Sequence, residues 1–284
     1  MIIDTHAHLN FNSFKDDWNE LINKSLDNNI WMINVGSQYT TSRRAVEIAN
    51  HYEKGVWAAL GLHPLQLETG LVKIKTDKEE AEFPTREEKL DYQKYKELAK
   101  SPKVVAIGEI GLDYYWKPKT KKRLLAFKDK QKAVLYEQLK LASELNLPVI
   151  FHCRVAHQDL IDFLTLIINK KELKIKGVMH GFVGTVEQLD KYLEMGFYIG
   201  FNGIIFKKIE GINFEENIKK TPLDKILLET DCPYLTPPDF PEERNNPLGV
   251  KFVAEQVAKI KKINPEEIAE ITTKNAKTLF KLKF

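Results

Sequence analysis

Eight short apolar segments recur along the 284 residues, and longer stretches with helical periodicity separate them. The segments are rich in valine, isoleucine and leucine and are apolar at consecutive positions, as in strands buried on both faces of a parallel sheet. We predict strands at residues 1–8, 31–36, 56–64, 104–113, 148–153, 176–182, 198–203 and 225–233. Eight strands alternating with helices in a chain of this length predict one (β/α)8 TIM-barrel domain over residues 1–284.

The intervening stretches carry helix start and stop signals. Ser13 is the predicted N-cap of the first helix, and a long amphipathic helix is predicted over residues 123–146. Gly196 fits a left-handed position after a helix end. Asn264 is a predicted N-cap, with Pro265 at the first helical position. These signals give each predicted strand a helical neighbour.

An open, doubly wound sheet is the alternative fold. That fold would need a glycine-rich phosphate turn, and the sequence contains neither GxGxxG nor a Walker A pattern. One segment, residues 68–92, is charged and weakly periodic. It is predicted to be a surface insertion beside the third strand.

Composition limits the classes of function. Hydrophobic residues make up 43% and charged residues 29%, an ordinary globular balance, and the net charge of +3 predicts no electrostatic nucleic-acid footprint. Cys153 and Cys232 cannot form a disulfide framework, so we expect a reducing, cytoplasmic compartment and buried thiols that face away from the site. The sequence has no targeting pattern and no long apolar run, so we expect no membrane contact. We expect a monomer.

Polar residues that can bind metals recur where the predicted strands end. "HAH" places two histidines at positions i and i+2, which face the same side of a strand. In a barrel of this class the active site forms at the carboxyl ends of the strands. The candidates there are His6, His8, Glu109, His152, His180 and Asp231.

A metal site explains these residues better than six separate structural roles. A lone buried histidine or carboxylate is often a hydrogen-bonded core residue, but buried carboxylates are costly without a charge partner. Four imidazoles and two carboxylates are more ligands than one tetrahedral zinc ion binds, and they suit two adjacent divalent ions. Nitrogen and oxygen ligands favour zinc, manganese, iron or nickel, with magnesium less natural.

The motifs resemble the TatD family of metal-dependent hydrolases. The similarity runs through "DTHAHLN", "GLHP", "AIGEIGLDYY", "PVIFHCR", "HGFVG", "GFNG", "LLETDCPYLTP" and "RNNP". It covers nearly the whole chain except the segment near 68–92. The combination of "DTHAH", "GEIGLD" and "ETDCPYLTP" is specific to this family.

The resemblance implies a deoxyribonuclease, a 3′–5′ exonuclease that acts on single-stranded DNA or 3′ ends through an activated water. It implies that His6, His8 and Asp231 hold one metal, that His152 and His180 hold the second, and that Glu109 bridges them.

Two positions depart from the family pattern. Asn10 stands where the family often has aspartate, and Val183 replaces a hydroxyl residue. All six presumed ligands are present, so we expect activity to be retained. We interpret both changed positions as lying near the mouth of the site and therefore expect them to alter substrate preference.

Several further residues receive expected roles. Asp231 would take the proton of the attacking water. Arg154 would hold a phosphate oxygen, with a structural salt bridge as its alternative. Asp113 would orient a histidine ligand, and Glu229 would be structural. The candidate substrate contacts are His63, which could instead protonate the leaving group, Arg154, Arg244 and Asn245.

Three aromatic residues, Tyr114, Tyr115 and Trp116, could stack nucleobases at the mouth or pack within a loop. Two other classes of function stay open. A small-molecule metallohydrolase (an amidase, lactonase or phosphotriesterase) could use the same ligands. A metal-stabilised scaffold could also bind metal, but it would not need six inward polar residues.

Overall fold

The computed structural model describes residues 1–68 and 87–282. Most of the predicted insertion at 68–92 lies outside the described residues. The strands are β1 Ile2–Ala7, β2 Ile30–Val35, β3 Val56–Leu60, β4 Val104–Asp113, β5 Val149–Arg154, β6 Gly177–Met179, β7 Tyr198–Phe201 and β8 Ile226–Leu228. The helices are α1 Trp18–Asp27, α2 Tyr39–Asn50, α3 Tyr92–Leu98, α4 Lys121–Leu145, α5 His157–Asn169, α6 Val186–Glu194, α7 Phe214–Lys220, α8 Val250–Lys261 and α9 Pro265–Phe280.

The eight strands form one parallel sheet in chain order, and the sheet curls into a nearly closed barrel. The segment after β8 reaches β1, where Ala7 bridges Cys232 and the Thr5 hydroxyl donates to the Leu228 carbonyl at 3.1 Å. Helices alternate with the strands, so the (β/α)8 prediction is confirmed.

α9 covers the amino end of the barrel. Its Thr273 hydroxyl donates to the Met1 carbonyl at 3.1 Å, and the Asn275 amide donates to the Ile226 carbonyl at 2.9 Å, at the starts of β1 and β8. Leu279 and Phe280 pack on a buried apolar cluster that includes Ile33 and Trp57. With the amino end filled, the carboxyl ends of the strands are left to form a site.

Several helix caps agree with the sequence, and one does not. The Asn264 side chain accepts from the backbone of Glu267 with Pro265 following, and Gly196 has φ of +84°. The Ser13 cap is wrong. Residues Asn12–Phe14 form a 3-10 turn, and α1 begins at Trp18.

Three strands are shorter than predicted. The predictions at 56–64, 176–182 and 225–233 continued the apolar runs too far, since β3, β6 and β8 end at Leu60, Met179 and Leu228. After those points the backbone leaves the sheet ladder. The loops that follow carry His63, His180 and Asp231.

The two cysteines occupy different environments. Both are free thiols, and Cys232 is fully buried as predicted. Cys153 is only half-buried and lines the cavity at the rim, so the prediction that it lies buried away from the site is wrong. Within the described part of the chain, no helix has the length and apolar character needed to cross a membrane.

Candidate metal centre

Three of the predicted ligands meet at the junction of β1 and the segment after β8. His6 lies in β1 and His8 directly follows its last residue; their Nε2 atoms are 3.1 Å apart, on the same side of the chain, as the i and i+2 spacing predicts. Asp231 Oδ1 lies 3.7 Å from His6 Nε2 and 3.3 Å from His8 Nε2. Its position is fixed because its backbone N–H donates to the His6 carbonyl at 2.8 Å. These three residues form a compact group of metal-competent atoms.

Glu109 of β4 occupies the centre of the cluster. Its Oε1 lies 2.6 Å from His152 Nδ1 and 3.9 Å from His180 Nε2, and its Oε2 lies 3.6 Å from His6 Nε2. His180 Nε2 is also 3.7 Å from Asp231 Oδ2. The structure therefore brings all six predicted ligands together, with the carboxylate of Glu109 between histidines from three strand ends.

The finer grouping differs from the predicted pairing of His152 with His180. The donor atoms form three groups: His6 with His8 and Asp231; His6 with Glu109 and His180; and His63 with Asp113 and His152. His63 borders the metal cluster, because its Nε2 lies 3.6 Å from Glu109 Oε1.

Outer hydrogen bonds turn the imidazoles toward the centre. His8 Nδ1 donates to the Val35 carbonyl at 2.8 Å, which leaves the Nε2 lone pair facing the cluster. His152 Nε2 is 2.9 Å from Asp113 Oδ2, so its Nδ1 faces Glu109. Asp113 thus stands where a residue that orients a histidine ligand must stand.

Glu229 plays the corresponding part for His180, a pairing that the sequence reasoning missed. Its Oε2 lies 2.8 Å from His180 Nδ1 and accepts from the Gly181 backbone at 2.9 Å. Glu229 is fully buried. The available signal was a carboxylate two residues before Asp231 at the end of an apolar strand, where an unpaired charge would be costly.

The buried charges shift several pKa values. Burial raises the pKa of Glu109, but electrostatic interactions with the His63 and His152 rings outweigh burial and hold the pKa well below its ordinary value. Burial likewise opposes ionisation of Asp231, and His180 reverses the effect, so its pKa is lowered. For His152, burial is outweighed by Glu109 and Asp113, and its pKa rises to about 9. Both carboxylates are therefore anionic, balanced here by imidazolium groups.

This donor set fits divalent metal ions. Glu109 is only 6% exposed, and the Nε2 atoms of His6 and His8 lie 3.1 Å apart, close enough to bind the same cation. Burial and the charge of His180 lower the pKa of His6, which favours the neutral, ligating form. A bound cation would replace the protons that now balance Glu109 and Asp231.

The cluster lies at the base of a cavity of about 1020 Å³. Arg154 lines it and stacks its guanidinium over the Tyr115 ring at 3.7 Å, and Tyr115 is 51% exposed. Trp116 meets Tyr115 edge-on with ring centroids 5.3 Å apart. Tyr114 is instead buried, and its hydroxyl donates to Asp159 at 2.9 Å. Only two of the three aromatic residues are therefore available for stacking at the mouth.

Two predicted substrate contacts lie elsewhere. Arg244 donates to the Ser13 carbonyl and the Asp17 carboxylate, and it covers the Phe14 ring at 4.3 Å. Asn245 is buried and donates to two backbone carbonyls, those of Thr230 and Tyr234. Neither residue lines the cavity. Both brace the loop after β8, so the expectation of substrate contact is not supported by their placement.

The two family departures also differ in position. Val183 lines the cavity, as expected. Asn10 is buried outside the cavity lining, and its amide donates to the Val35 and Thr41 carbonyls at 3.0 Å. The interpretation that Asn10 lies at the mouth is therefore wrong, because its side chain holds the loop after β1 against β2.

A parallel barrel whose rim gathers histidines and carboxylates around one cavity defines the class of metal-dependent hydrolases. The chain belongs to the TatD family: the model described as "TatD related DNase" matches residues 3–281. The resemblance stated from the motifs is confirmed.

Similar proteins cover the full length of the chain. A relative named uncharacterized metal-dependent hydrolase YabD, from Bacillus subtilis, is 38% identical over 99% of this chain and 100% of its own. A relative named 3′-5′ ssDNA/RNA exonuclease TatD, from Escherichia fergusonii, is 30% identical over 100% of both chains. The crystal structure of YJJV, a TatD homologue from Escherichia coli K12, has a TM-score of 0.79 and 28% identity, and covers 99% of this chain and 98% of that one.

Replacing Glu229 with glutamine should weaken metal binding by about 10- to 100-fold, the usual effect of losing a partner of a ligating histidine. Both hydrogen bonds are accepted by the same oxygen, Oε2, so the amide oxygen of glutamine can still accept them, but the negative charge that holds and polarises the His180 ring is lost. Isothermal titration calorimetry with the metal ion measures the change in affinity. Glu194→Gln, on the exposed end of α6, is the control and should leave affinity unaltered. Equal affinity in Glu229→Gln would contradict the role assigned to this carboxylate.

Proposed function

We propose that this protein is a 3′–5′ exonuclease that hydrolyses phosphodiester bonds of single-stranded DNA or of 3′ ends with two divalent ions. The observation that carries the proposal is the position of Glu109, which lies between His6 on one side and His152 and His180 on the other. The name of the Escherichia fergusonii relative supports the substrate class. RNA is a second nucleic-acid substrate named for that relative.

We assign the residues to the two ions as the family motifs imply, although the donor atoms of His152 and His180 fall in different groups in the structure. His6, His8 and Asp231 would hold one ion, His152 and His180 the other, and Glu109 would bridge them. When bound, the ions lower the pKa of a coordinated water and neutralise charge on the phosphate. The mixed imidazole and carboxylate set suits zinc, manganese, iron or nickel, with magnesium less favoured.

The protein's own groups position the substrate and move the proton. Asp231 is anionic and reaches into the cavity, so its carboxylate can accept the proton of the attacking water. Arg154 lines the cavity, where its guanidinium would hold a phosphate oxygen of the substrate.

His63 acts as a hydrogen-bonding group rather than as an acid. Burial and the charge of His152 lower its pKa to about 3, so it is neutral near pH 7. Its Nδ1 accepts from the Leu65 backbone at 3.1 Å, which leaves Nε2–H to donate. Of the two roles expected for His63, substrate binding is therefore the better supported.

Two remaining assignments concern the cellular compartment and the oligomeric state. The free thiols of Cys153 and Cys232 suit a reducing compartment, and on that ground we retain a cytoplasmic location. A monomeric state stays a prediction.

The function is tested on a single-stranded oligonucleotide labelled at its 5′ end. Manganese-loaded protein should produce a ladder that shortens from the 3′ end, one nucleotide at a time. Glu109→Gln, purified in parallel, should give no ladder and so excludes a contaminating nuclease. Hydrolysis of a lactone, a simple amide or a phosphotriester, with the oligonucleotide left intact, would overturn the proposal and favour the small-molecule alternative.

A further inference from the structure

Four lysines follow the aromatic residues at the mouth of the cavity within six positions of the chain. Lys117, Lys119, Lys121 and Lys122 are all exposed, and the stretch 117–122 contains no acidic residue. The whole chain has a net charge of only +3, so this concentration of positive charge is local. We call these four residues the basic rim.

Chain connectivity places the basic rim beside the cavity. Trp116 lines the cavity, and consecutive Cα atoms are about 3.8 Å apart, so Lys117 begins the rim at the cavity wall. Pro118 is buried and anchors the loop. α4 then starts at Lys121, and because the helices run antiparallel to the strands, its first turn lies at the same end of the barrel as the metal cluster.

Helix stability does not account for these cations. The positive end of the helix dipole lies at the N-terminus, so Lys121 and Lys122 are unfavourable in the first turn of α4. In contrast, α5, α6, α7 and α9 each carry an acidic residue in the first turn. Basic residues at a helix N-terminus weaken the helix, and residues that weaken the local structure are expected where they serve function.

The basic rim also differs from the cations around it. Arg123 pairs with Glu68 at 2.5 Å, and Lys128 and Lys132 pair with Asp159. Among residues 1–68 and 87–282, no acidic side chain forms an ion pair with any of the four rim lysines. As far as the described residues go, these ammonium groups have no acidic partner, which suits contact with an anionic ligand that extends from the cavity.

We infer that the basic rim binds the phosphates of a single-stranded nucleic acid upstream of the 3′ end that enters the cavity. The inference rests on the proposed function and extends it, because it assigns a surface to the part of the substrate that is not cleaved. Tyr115 and Trp116 lie between the metal cluster and the rim and offer stacking faces to the bases that join the two regions. Binding of each phosphate releases counterions, which makes the affinity depend on salt.

The test compares a quadruple variant, Lys117→Gln, Lys119→Gln, Lys121→Gln and Lys122→Gln, with a matched control. The control replaces Lys170, Lys171, Lys174 and Lys176 by glutamine, exposed residues between α5 and β6 at the opposite end of the barrel. Both variants lose the same charge. One substrate is a single strand of about 20 nucleotides, more than the number of nucleotides that one single-strand-binding domain covers. The other is a dinucleotide, small enough to lie within a cavity of this size.

The rim variant should raise KM for the long strand about tenfold with kcat unchanged, and the slope of log affinity against log salt should shrink by about 0.7 for each phosphate that the variant no longer binds. KM for the dinucleotide should not change, and the control should match the unaltered protein. An equal change for both substrates, or no change for the long strand, would overturn the inference.

Fluorescence anisotropy of a labelled long strand on chelator-treated protein separates this inference from the catalytic one. Weaker binding by the rim variant alone supports the rim even if the unaltered protein cleaves no nucleic acid. Equal binding by the rim variant and the control variant overturns it, whatever the nuclease assay shows.

Discussion

Replacing Asp231 with asparagine is expected to lower kcat for phosphodiester hydrolysis by about 10³-fold or more, which corresponds to about 4 kcal/mol of lost transition-state stabilisation. The carboxylate lies within 3.7 Å of the ring nitrogens of His6, His8 and His180, so its loss would remove both a proposed ligand and the proposed proton acceptor. Measurement of kcat and KM on a chromogenic phosphodiester gives the size of the effect.

The substitution should leave the fold largely intact. Asp231 has φ of +59°, a left-handed conformation that asparagine tolerates, and its backbone hydrogen bond to His6 is retained. Its melting temperature should stay within a few degrees of the unaltered protein. The control, Asp224→Asn, removes the same charge from the exposed residue before β8 and should keep full activity. Parallel loss of melting temperature and rate in Asp231→Asn would instead make the residue structural.

Replacing Gly111 with alanine is expected to destabilise the protein by about 3 kcal/mol or more, in the range of severe overpacking. Gly111 of β4 pairs with His152 of β5, and a Cβ there would approach the His152 carbonyl oxygen to 1.8 Å. The two strands would have to separate where they present Glu109, Asp113 and His152. We therefore expect a fall in both the urea midpoint and the rate of hydrolysis.

Gly196→Ala provides the comparison. Gly196 has φ of +84°, yet a Cβ there would meet no atom within 4 Å, so only the conformational cost of about 1–2 kcal/mol applies. Activity should be unchanged, because Gly196 follows α6 at the amino end of the barrel. If Gly111→Ala were no more destabilising than Gly196→Ala, the close approach of β4 and β5 would not be a constraint.

The fold and the ligand cluster were predictable because both follow periodic rules. Strands buried on both faces produce apolar runs that the sequence displays directly, and parallel strands deliver their carboxyl ends to one rim. His152, which lies within β5, could therefore be placed at the rim without knowledge of loop structure. The strand ends themselves were less predictable, since apolar residues continue into the loops after β3, β6 and β8.

Side chains in loops could not be placed in this way. Arg244 follows Asp231 by 13 positions, but its guanidinium turns to Ser13 and Asp17, and nothing in the sequence near Arg244 reveals those partners. Asn10 was expected at the mouth because it follows the first strand closely. Its amide instead donates to carbonyls of β2 and α2, partners that the local sequence does not reveal. Glu229 was recognised as inward-facing, but its partner His180 lies 49 residues away in sequence and follows β6, two strands away in the sheet.

Elemental analysis of the purified protein, after loading with manganese and removal of unbound ions, tests the paired-ion centre most directly. The geometry around Glu109 predicts two ions per chain in the unaltered protein and fewer in Glu109→Gln. A protein that retains no ion, or that retains the same number of ions in both forms, would contradict a centre built around that carboxylate.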